Sequence, residues 1–291
     1  HPDIEVTFVP GPWSQALLEQ LIVQVAGGAA PDVGTLRGVT VGPILESLAV
    51  DLTPYIQRDS YSLNRFMPLT LTLAQRDGRI YGLPFALGSL VIFCNKDLFA
   101  QAGLSLPQKG WTVDDFRANA LRLTVDRQGD GTIDQWGLDH IDPGKLYLWG
   151  QLFGGRFLSS SGTTTVITEP EFTAALQWAQ DLTLRDRVVR GSGNEWATGV
   201  SAMGFEFESS IGVYIDAMVD QRFSWGTTYM PAAPGSDTLT YAQWHVMAAL
   251  RGTRHPEAAW EFIKFYNSDE MQCYAGERGW EPATLIGRRA L

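Results

Sequence analysis

The sequence contains very little cysteine: Cys94 and Cys273 are the only thiols in 291 residues. In an oxidising compartment they could form a single disulfide, but nothing in the sequence places their Cα atoms within bridging distance. Cys94 lies in an apolar run and Cys273 lies close to Met271 in a predicted helix, which are surroundings typical of buried thiols. The sequence therefore favours two free thiols over one disulfide.

Long hydrophobic runs and an excess of positive charge are also missing. No apolar stretch approaches the roughly 20 residues that a membrane-spanning helix needs. The formal net charge of -10 argues against nucleic acid or an anionic membrane surface as the main partner, because both require clustered Lys and Arg. A chain of 291 residues is long enough to form two domains of ordinary size.

The motifs of common enzyme classes are absent. The sequence has no GxSxG elbow, no Walker-type loop, no GxGxxG after a strand and no pair of histidines at metal-binding spacing. Glu206 and Glu208 are the one suggestive carboxylate pair, since alternate strand residues share a face and a glycosidase needs two carboxylates at one bond. Without a supporting motif we favour hydroxyl binding or solvation for this pair and predict no catalytic residue.

An acidic, glycine-rich segment at 126–134 is comparable to a calcium loop. Its aspartates stand at positions 1, 5 and 9 of an EF-hand-like loop, and a glycine stands at the sharp turn. However, Gln128 occupies position 3 and Gly137 stands where the bidentate glutamate belongs. We therefore predict a helix-to-strand connection, with no metal and no cofactor.

The segment Asp77–Phe99 has the clearest local pattern. Asp77-Gly78 supplies the positive-φ pair of a tight hairpin turn between two short strands. The run Leu90–Cys94 is apolar at every position, which predicts a strand covered on both faces. Asn95 is placed to cap the helix that follows.

An alternation of strands and helices predicts an α/β fold. Ile4–Phe8 alternates as a strand, Trp13–Val25 has an apolar helix face, and a second strand begins at Asp32. Arg37 follows in a loop at the carboxyl end of that strand, where open α/β sheets place ligands. It is either a solvent-exposed charge or a hydrogen-bonding fork for a ligand.

Two later helices carry capping signals in their first turns. Thr112 is followed three residues on by Asp115, and Thr168 is followed by Glu171 at the same spacing. We predict that each threonine and its acidic partner form a capping box.

Several stretches resemble a single protein family. DGRIYGLPF at 77–85, NKDLFAQAGL at 95–104 and WTVDDF at 111–116 are similar in residues and spacing to motifs of the extracellular sugar-type solute-binding proteins of bacterial ABC importers. The resemblance continues through GGRF at 154–157 and HPEAAWEF at 255–262. It therefore covers nearly the whole chain.

The resemblance implies an α/β, two-lobe periplasmic-binding fold with a hinge and a ligand cleft between the lobes. The first lobe would comprise residues 1–95 and 247–282, and the second residues 96–246 and 283–291. The hinge would lie near Cys94–Asp97. Members of this family extend further in both directions, so the chain is interpreted as trimmed at both ends.

The resemblance also implies a function. The protein would capture a carbohydrate, either an oligosaccharide or a glycoside, outside the cytoplasmic membrane and deliver it to the permease of an ABC importer. It would be a periplasmic or lipid-anchored receptor rather than an enzyme, with no cofactor and no nucleic-acid partner. Two alternatives remain open. The same fold could bind a non-sugar solute such as a polyamine or a phosphodiester, or the chain could be a secreted glycan-degrading enzyme that uses Glu206 or Glu208.

Tryptophan is abundant, and its ring planes suit the C–H faces of sugars. Trp111, Trp178 and Trp260 lie in or just before amphipathic helices and are assigned to packing. Trp13, Trp149, Trp244 and Trp280 lie in segments similar to ligand-facing parts of the family. For each of them, ligand contact and packing are the two alternatives. The predicted ligand-binding residues are Trp13, Arg37, Tyr147, Trp149, Glu206, Glu208, Gln243, Trp244 and Trp280.

Overall fold

The chain forms two compact units. The computed structural model describes residues 1–11, 15–37, 44–141, 146–159, 164–191, 196–208, 211–212, 223–233, 235 and 237–290. Unit 1 comprises His1–Gly88 and Ala242–Leu291, and unit 2 comprises Ser89–Tyr241. Each unit combines helices with paired strands, so the predicted α/β class is confirmed.

The sheet of unit 1 is organised around the strand Ala242–Ala249. This strand pairs antiparallel with Val33–Arg37, with Arg37 opposite His245. On its other side it is hydrogen-bonded to the long strand Leu83–Asn95. It is buried from its third residue onward. A strand that is buried on both alternations needs cover on both faces of the sheet.

Helices supply this cover in unit 1. Trp244 and Val246 share a core cluster with leucines of the helix Gln15–Ala26. Met247, on the opposite face, shares a second cluster with residues of the helix Pro256–Tyr266. The helices of unit 1 include Gln15–Ala26, Leu45–Leu48, Thr53–Arg58, Pro68–Leu73, Pro256–Tyr266, Asp269–Glu277 and Leu285–Ala290.

Unit 2 is built on the second half of the long strand Leu83–Asn95. Ser201–Phe207 and Trp225–Thr228 pair antiparallel with this half. Trp136–Leu138 extends the sheet by pairing parallel with Ser201–Phe207. The helices of unit 2 include Lys96–Gln101, Val113–Leu123, Leu146–Leu152 and Pro170–Gln180, the last of which continues as a π-helical turn at Asp181–Arg185.

The long strand is covered on both faces in unit 2, as its apolar run predicted. Ile92 and Cys94 belong to the main core of the unit, whereas Phe93 packs with Trp196 in a second cluster. Cys94 and Cys273 are both free thiols. Burial raises the pKa of the Cys94 thiol, so its reactive thiolate is disfavoured.

Two of the three predicted helix caps are confirmed. Asn95 Oδ1 accepts hydrogen bonds from two backbone N–H groups in the first turn of the following helix. The Thr112 hydroxyl accepts from the Asp115 backbone N–H at 3.1 Å, and the Asp115 carboxylate accepts from the Thr112 N–H at 2.8 Å. The capping box at Thr168 is wrong. The helix Pro170–Gln180 begins one residue later than that box requires, and no side chain caps it.

The predicted hairpin is confirmed, but the predicted first strand is not. Asp77 and Gly78, with φ angles of 48° and 77°, form the turn between Gln75–Arg76 and Arg79–Ile80. Ile4–Phe8 forms no strand within the described residues, and the phenylalanine at its end is 86% exposed. An alternating pattern becomes a strand only where a neighbouring strand satisfies its backbone groups.

The chain passes from one compact unit to the other after residues 88 and 241. In the prediction it passes from one lobe to the other after residues 95 and 246. The strand Leu83–Asn95 therefore contributes to both units. Residues 283–291, which the prediction assigned to the second lobe, belong to unit 1. Their helix Leu285–Ala290 packs against the helix Asp269–Glu277.

The acidic loop at 126–134 is organised by its own backbone. The Asp126 carboxylate accepts hydrogen bonds from three backbone N–H groups of the loop, at 2.7 to 3.2 Å. Asp130 and Asp134 each accept one, at 2.8 and 2.7 Å. These bonds lower the pKa of Asp126, above all the bond from the Gly131 N–H. These bonds shape the connection between Val113–Leu123 and Trp136–Leu138.

We expect calcium chelation with EGTA to leave the thermal unfolding midpoint unchanged. Replacing Asp126 with Ala should lower that midpoint, because the loop loses its shared acceptor and three N–H groups lose their partner. The exposed Asp237→Ala is the matched control in the same unit. Differential scanning calorimetry checks both expectations, and a large EGTA-induced fall in the midpoint would contradict the first.

Candidate functional site

The first group of predicted side chains lies at one end of the strand pair in unit 1. Arg37 is the last residue of Val33–Arg37 and pairs with His245, and Gln243 precedes His245 by two residues. Because alternate strand residues share a face, these three residues lie on the same face of the sheet. Arg37 and Gln243 are both partly exposed. A guanidinium and an amide side by side can donate to and accept from ligand hydroxyl groups.

Trp13, predicted beside this group, lies outside the described residues. The helix Gln15–Ala26 confirms most of the helix predicted over Trp13–Val25.

His245 is the buried member of this group, and it is neutral at pH 7. It is 7% exposed, and its ring centroid lies 5.7 Å from that of Phe85. Burial lowers the pKa of His245 from 6.5 to about 4, and the positive charge of Arg37 lowers it further. At neutral pH the positive charge at this end of the strand pair therefore belongs to Arg37 and not to His245.

The low pKa of His245 predicts a pH-dependent stability. The unfolded chain takes up the proton more readily than the folded chain, so the full contribution is present above pH 6.5 and is lost as the pH falls toward 4. The loss is about 3 kcal/mol at most, at about 1.4 kcal/mol for each pKa unit. Urea denaturation at about pH 7 and about pH 4.5 should show it.

The variant His245→Gln should flatten this dependence, whereas the exposed His255→Gln should retain it. A wild-type slope in the first variant would show that another group is responsible. The low-pKa carboxylates act in a separate range: Asp186 has its pKa lowered from 3.8 to about 2, chiefly by the hydrogen bond from Arg117. Asp186 loses its contribution only as the pH falls from 3.8 toward 2, which is below the range in which His245 acts.

Trp244 lies on the opposite face of the same strand, in the core of unit 1. It is 3% exposed and is surrounded by aliphatic residues of that core. Its indole N–H has no hydrogen-bond partner within the described residues. By contrast, the indoles of Trp111 and Trp260 donate to the Tyr229 carbonyl and to Asp59, at 2.8 and 2.7 Å. The ring of Trp244 is therefore well packed, but its polar atom is not satisfied.

We expect Trp244→Ala to lower the free energy of unfolding by about 3 to 5 kcal/mol, as for other buried aromatic truncations. Trp244→Phe should cost much less, because it keeps an aromatic ring and removes an unpaired donor that itself costs about 1 to 3 kcal/mol. Chemical denaturation of both variants measures the difference. Equal losses for Ala and Phe would contradict a packing role for the ring.

Trp280 is the exposed aromatic of unit 1 among the predicted residues. Its side chain is 49% exposed, and its ring stands edge-on to Tyr274 with centroids 6.1 Å apart. The guanidinium of Arg278 lies over the Tyr274 ring, 4.8 Å from its centroid. The backbone N–H of Trp280 donates to the Ala275 carbonyl at 2.9 Å. An indole held in this way leaves part of its surface open for stacking against a ligand.

In unit 2, Trp149 belongs to the core. It has no exposed surface, and its ring meets Phe205 in a T-shaped contact with centroids 4.5 Å apart. Trp178 lies 6.0 Å away in the same aromatic group. The structure therefore gives Trp149 a packing environment and no surface for a ligand. The side chain of Tyr147, in the same helix, lies outside the described residues.

Glu206 and Glu208 lie at the end of the strand Ser201–Phe207. Glu206 is paired with Val91, and the Glu208 backbone N–H donates to the Ser89 carbonyl at 3.1 Å. One oxygen of Glu206 accepts from the Phe207 backbone N–H at 3.1 Å. Both glutamates are partly exposed, and they share a face because they are two residues apart. Their carboxylates are acceptors suited to ligand hydroxyl groups.

The same face of unit 2 carries an aromatic cluster that sequence reasoning missed. Phe93 stacks on Trp225 with centroids 5.7 Å apart, and Trp196 lies 5.3 Å from Phe93. Phe223 meets Trp196 edge-on at 5.6 Å. Gly204 lies under Trp196, where a Cβ would approach the indole to 3.1 Å. No local pattern marks this cluster, because its members are distant in sequence and come together only through tertiary packing.

Two further searches of the described residues gave negative findings. No three His, Cys, Asp or Glu side chains in this part of the chain come together as metal ligands would. None of its helices combines the length and the apolar character needed to cross a bilayer.

Residues 1–272 match the model of the family described as bacterial extracellular solute-binding protein. Among curated proteins, the arabinooligosaccharide-binding protein of Bacillus subtilis is 31% identical over 287 residues. The alignment covers 93% of this chain and 64% of that protein. The chain therefore spans less than two thirds of the length of this relative.

Solved structures give a close match in fold at low sequence identity. An ABC substrate-binding protein from Listeria monocytogenes in complex with cycloalternan matches with a TM-score of 0.86 at 24% identity, over 100% of this chain and 76% of that one. UgpB from Mycobacterium tuberculosis in complex with glycerophosphocholine matches with a TM-score of 0.84 at 18% identity, over 100% and 75%. These likenesses confirm the predicted periplasmic-binding fold class.

Proposed function

Because this chain belongs to the bacterial extracellular solute-binding protein family, we propose that it captures an oligosaccharide and delivers it to the permease of an ABC importer. Family membership confirms the predicted extracytoplasmic location. The proposal concerns two points: which solute the protein binds, and that it passes this solute to a permease.

One observation carries the choice of solute. The relative that is 31% identical over 93% of this chain is named for binding arabinooligosaccharides. This supports a neutral, hydroxyl-rich ligand over the polyamine or phosphodiester alternatives. The fold itself does not discriminate, since a structure of the same fold holds glycerophosphocholine.

The described residues offer the chemistry that such a ligand needs. In unit 1, we assign Trp280 as a stacking surface, with Arg37 and Gln243 as hydrogen-bonding partners for hydroxyl groups. In unit 2, we assign Glu206 and Glu208 as acceptors for hydroxyl donors. Trp13 and Tyr147 remain candidates on their sequence positions. Trp149 and Trp244 are assigned to packing on their burial.

We infer that the protein binds its solute without converting it. Proteins of this family are binding proteins, and the carboxylate pair has no supporting catalytic motif. One Glu206 oxygen is already engaged by the backbone N–H of Phe207. Incubation with the bound oligosaccharide followed by chromatography should return it unchanged, and appearance of shorter sugars would support the glycan-degrading alternative.

We expect arabinotriose, maltotriose or a galactooligosaccharide to raise the thermal midpoint more than spermidine or glycerophosphocholine does. A ligand that binds only the folded state stabilises it by mass action, by about 2.7 kcal/mol at a hundredfold excess over Kd. Thermal-shift screening followed by isothermal titration calorimetry measures this. A response to spermidine or glycerophosphocholine alone would overturn the carbohydrate assignment.

A matched pair of variants tests the stacking surface. Trp280→Ala should weaken sugar binding about tenfold, the equivalent of the roughly 1.4 kcal/mol that an aromatic contact provides. Phe265→Ala removes an aromatic of similar exposure from unit 1, at 52% against 49%. It should leave the affinity unchanged.

A further inference from the structure

The residue after Trp280 is a buried carboxylate held against the backbone of the long strand. Glu281 is only 4% exposed. A Cβ atom at Gly88 would lie 1.9 to 2.0 Å from the atoms of the Glu281 carboxylate, which no real Cβ could do. Gly88 therefore leaves the space that the carboxylate occupies. Charged side chains are rarely buried to this extent unless they are hydrogen-bonded in a defined place.

The backbone around Glu281 is joined to the same strand by further bonds. The Leu87 N–H donates to the Glu281 carbonyl at 2.9 Å, and the Ala283 N–H donates to the Phe85 carbonyl at 3.3 Å. Ala86 and Pro282 form a bridge between these two bonds. We call residues Glu281–Thr284 the strap. It runs beside Phe85–Gly88 at the end of the strand that belongs to unit 1.

One side chain from a neighbouring helix bonds to the strap, and a second bonds to the strand beside it. Gln272 accepts from the Ala283 and Thr284 N–H groups at 3.0 and 3.3 Å, and its amide donates to the Phe85 carbonyl at 3.2 Å. Arg288 donates to the Leu87 carbonyl. The backbone of the strap is therefore fixed on both sides of Pro282.

Trp280, in contrast, lies at the surface. Its ring is half exposed and meets Tyr274 edge-on, and its backbone N–H is the anchor on its amino-terminal side. On the carboxyl-terminal side, the direction of the chain is fixed by Glu281. The orientation of the exposed indole therefore depends on where the buried neighbour is placed.

We propose that Glu281 is a positioning residue for Trp280, and that its carboxylate acts through contact with Gly88. The inference rests on the proposed function, in which Trp280 stacks against a sugar ring. Moving the carboxylate, or filling the space at Gly88, turns the indole away from its binding orientation. Glu281 thereby contributes to carbohydrate affinity without touching the ligand.

The positioning claim can be tested without any ligand. Protein labelled with 5-fluorotryptophan gives one fluorine resonance for each indole, and Trp280→Phe identifies the resonance of Trp280. Glu281→Ala and Gly88→Ala should each shift that resonance. The double variant should shift it no further than Glu281→Ala alone, because both changes act through one contact. Additive shifts would contradict the proposed contact.

Asp139→Asn is the matched control, since Asp139 is a carboxylate of similar burial in unit 2, at 2% exposure. It should lower stability and leave the Trp280 resonance in place. Glu281→Gln keeps the shape of the side chain and should restore most of the wild-type resonance position. If Glu281→Ala or Gly88→Ala fails to fold, Glu281→Asp is the second variant, because its shorter side chain withdraws the carboxylate from Gly88 and should also shift the resonance.

Titration calorimetry with arabinotriose tests whether the position of the Trp280 indole affects sugar affinity. Glu281→Ala should weaken binding about tenfold, as loss of the aromatic contact does. In a Trp280→Phe background it should cause no comparable further loss, because the residue through which it acts is already changed. Glu281→Ala could lower stability and leave both the Trp280 resonance and the arabinotriose affinity unchanged. That result would show that Glu281 only stabilises the fold, and it would contradict the proposal.

The two proposals fail in distinguishable ways. If wild-type protein binds none of the tested sugars, the carbohydrate assignment is wrong, and the fluorine resonance still decides whether Glu281 positions Trp280. If sugars bind and the Trp280 resonance does not respond to Glu281→Ala or Gly88→Ala, the positioning proposal is wrong and the carbohydrate assignment stands.

Discussion

The hydrogen bonding of one strand, Leu83–Asn95, constrains both compact units of this protein. A buried strand must satisfy its backbone N–H and carbonyl groups along its whole length. Before residue 88 the partners come from unit 1, as when the Leu87 N–H donates to the Glu281 carbonyl. Beyond it they come from unit 2, as when the Leu90 N–H donates to the Tyr241 carbonyl. The candidate residues of each unit are attached to this shared framework.

The features that the sequence predicted well are those decided by neighbours in the chain. A positive-φ turn needs residues such as Asp77-Gly78 whatever surrounds it, and a cap such as Asn95 bonds N–H groups two and three residues away. The strand predicted over Ile4–Phe8 failed because alternation shows only a capacity to pair. Similarly, the apolar pattern around Trp149 did not show that its ring would lie wholly inside the core.

The candidate site was less predictable because long-range pairing assembles it. Phe93, Trp196 and Trp225 are far apart in sequence and meet only in the folded unit, where the strands of Phe93 and Trp225 pair and Trp196 packs against both rings. No local pattern marks Glu281 as buried, and its burial depends on the absence of a side chain at Gly88. Similarly, Arg37 was predicted in a loop after a short strand, whereas pairing with His245 makes it the last residue of the longer strand Val33–Arg37.

Amide hydrogen exchange along Leu83–Asn95 tests most directly whether both units hold this strand. The account predicts that the Leu87 and Leu90 amides exchange as slowly as core amides such as Val246, because opening either one requires unfolding of the unit that supplies its acceptor. Rapid, loop-like exchange at Leu87, with slow exchange at Leu90, would show that the hydrogen bond from Leu87 to unit 1 does not persist. That result would contradict the account.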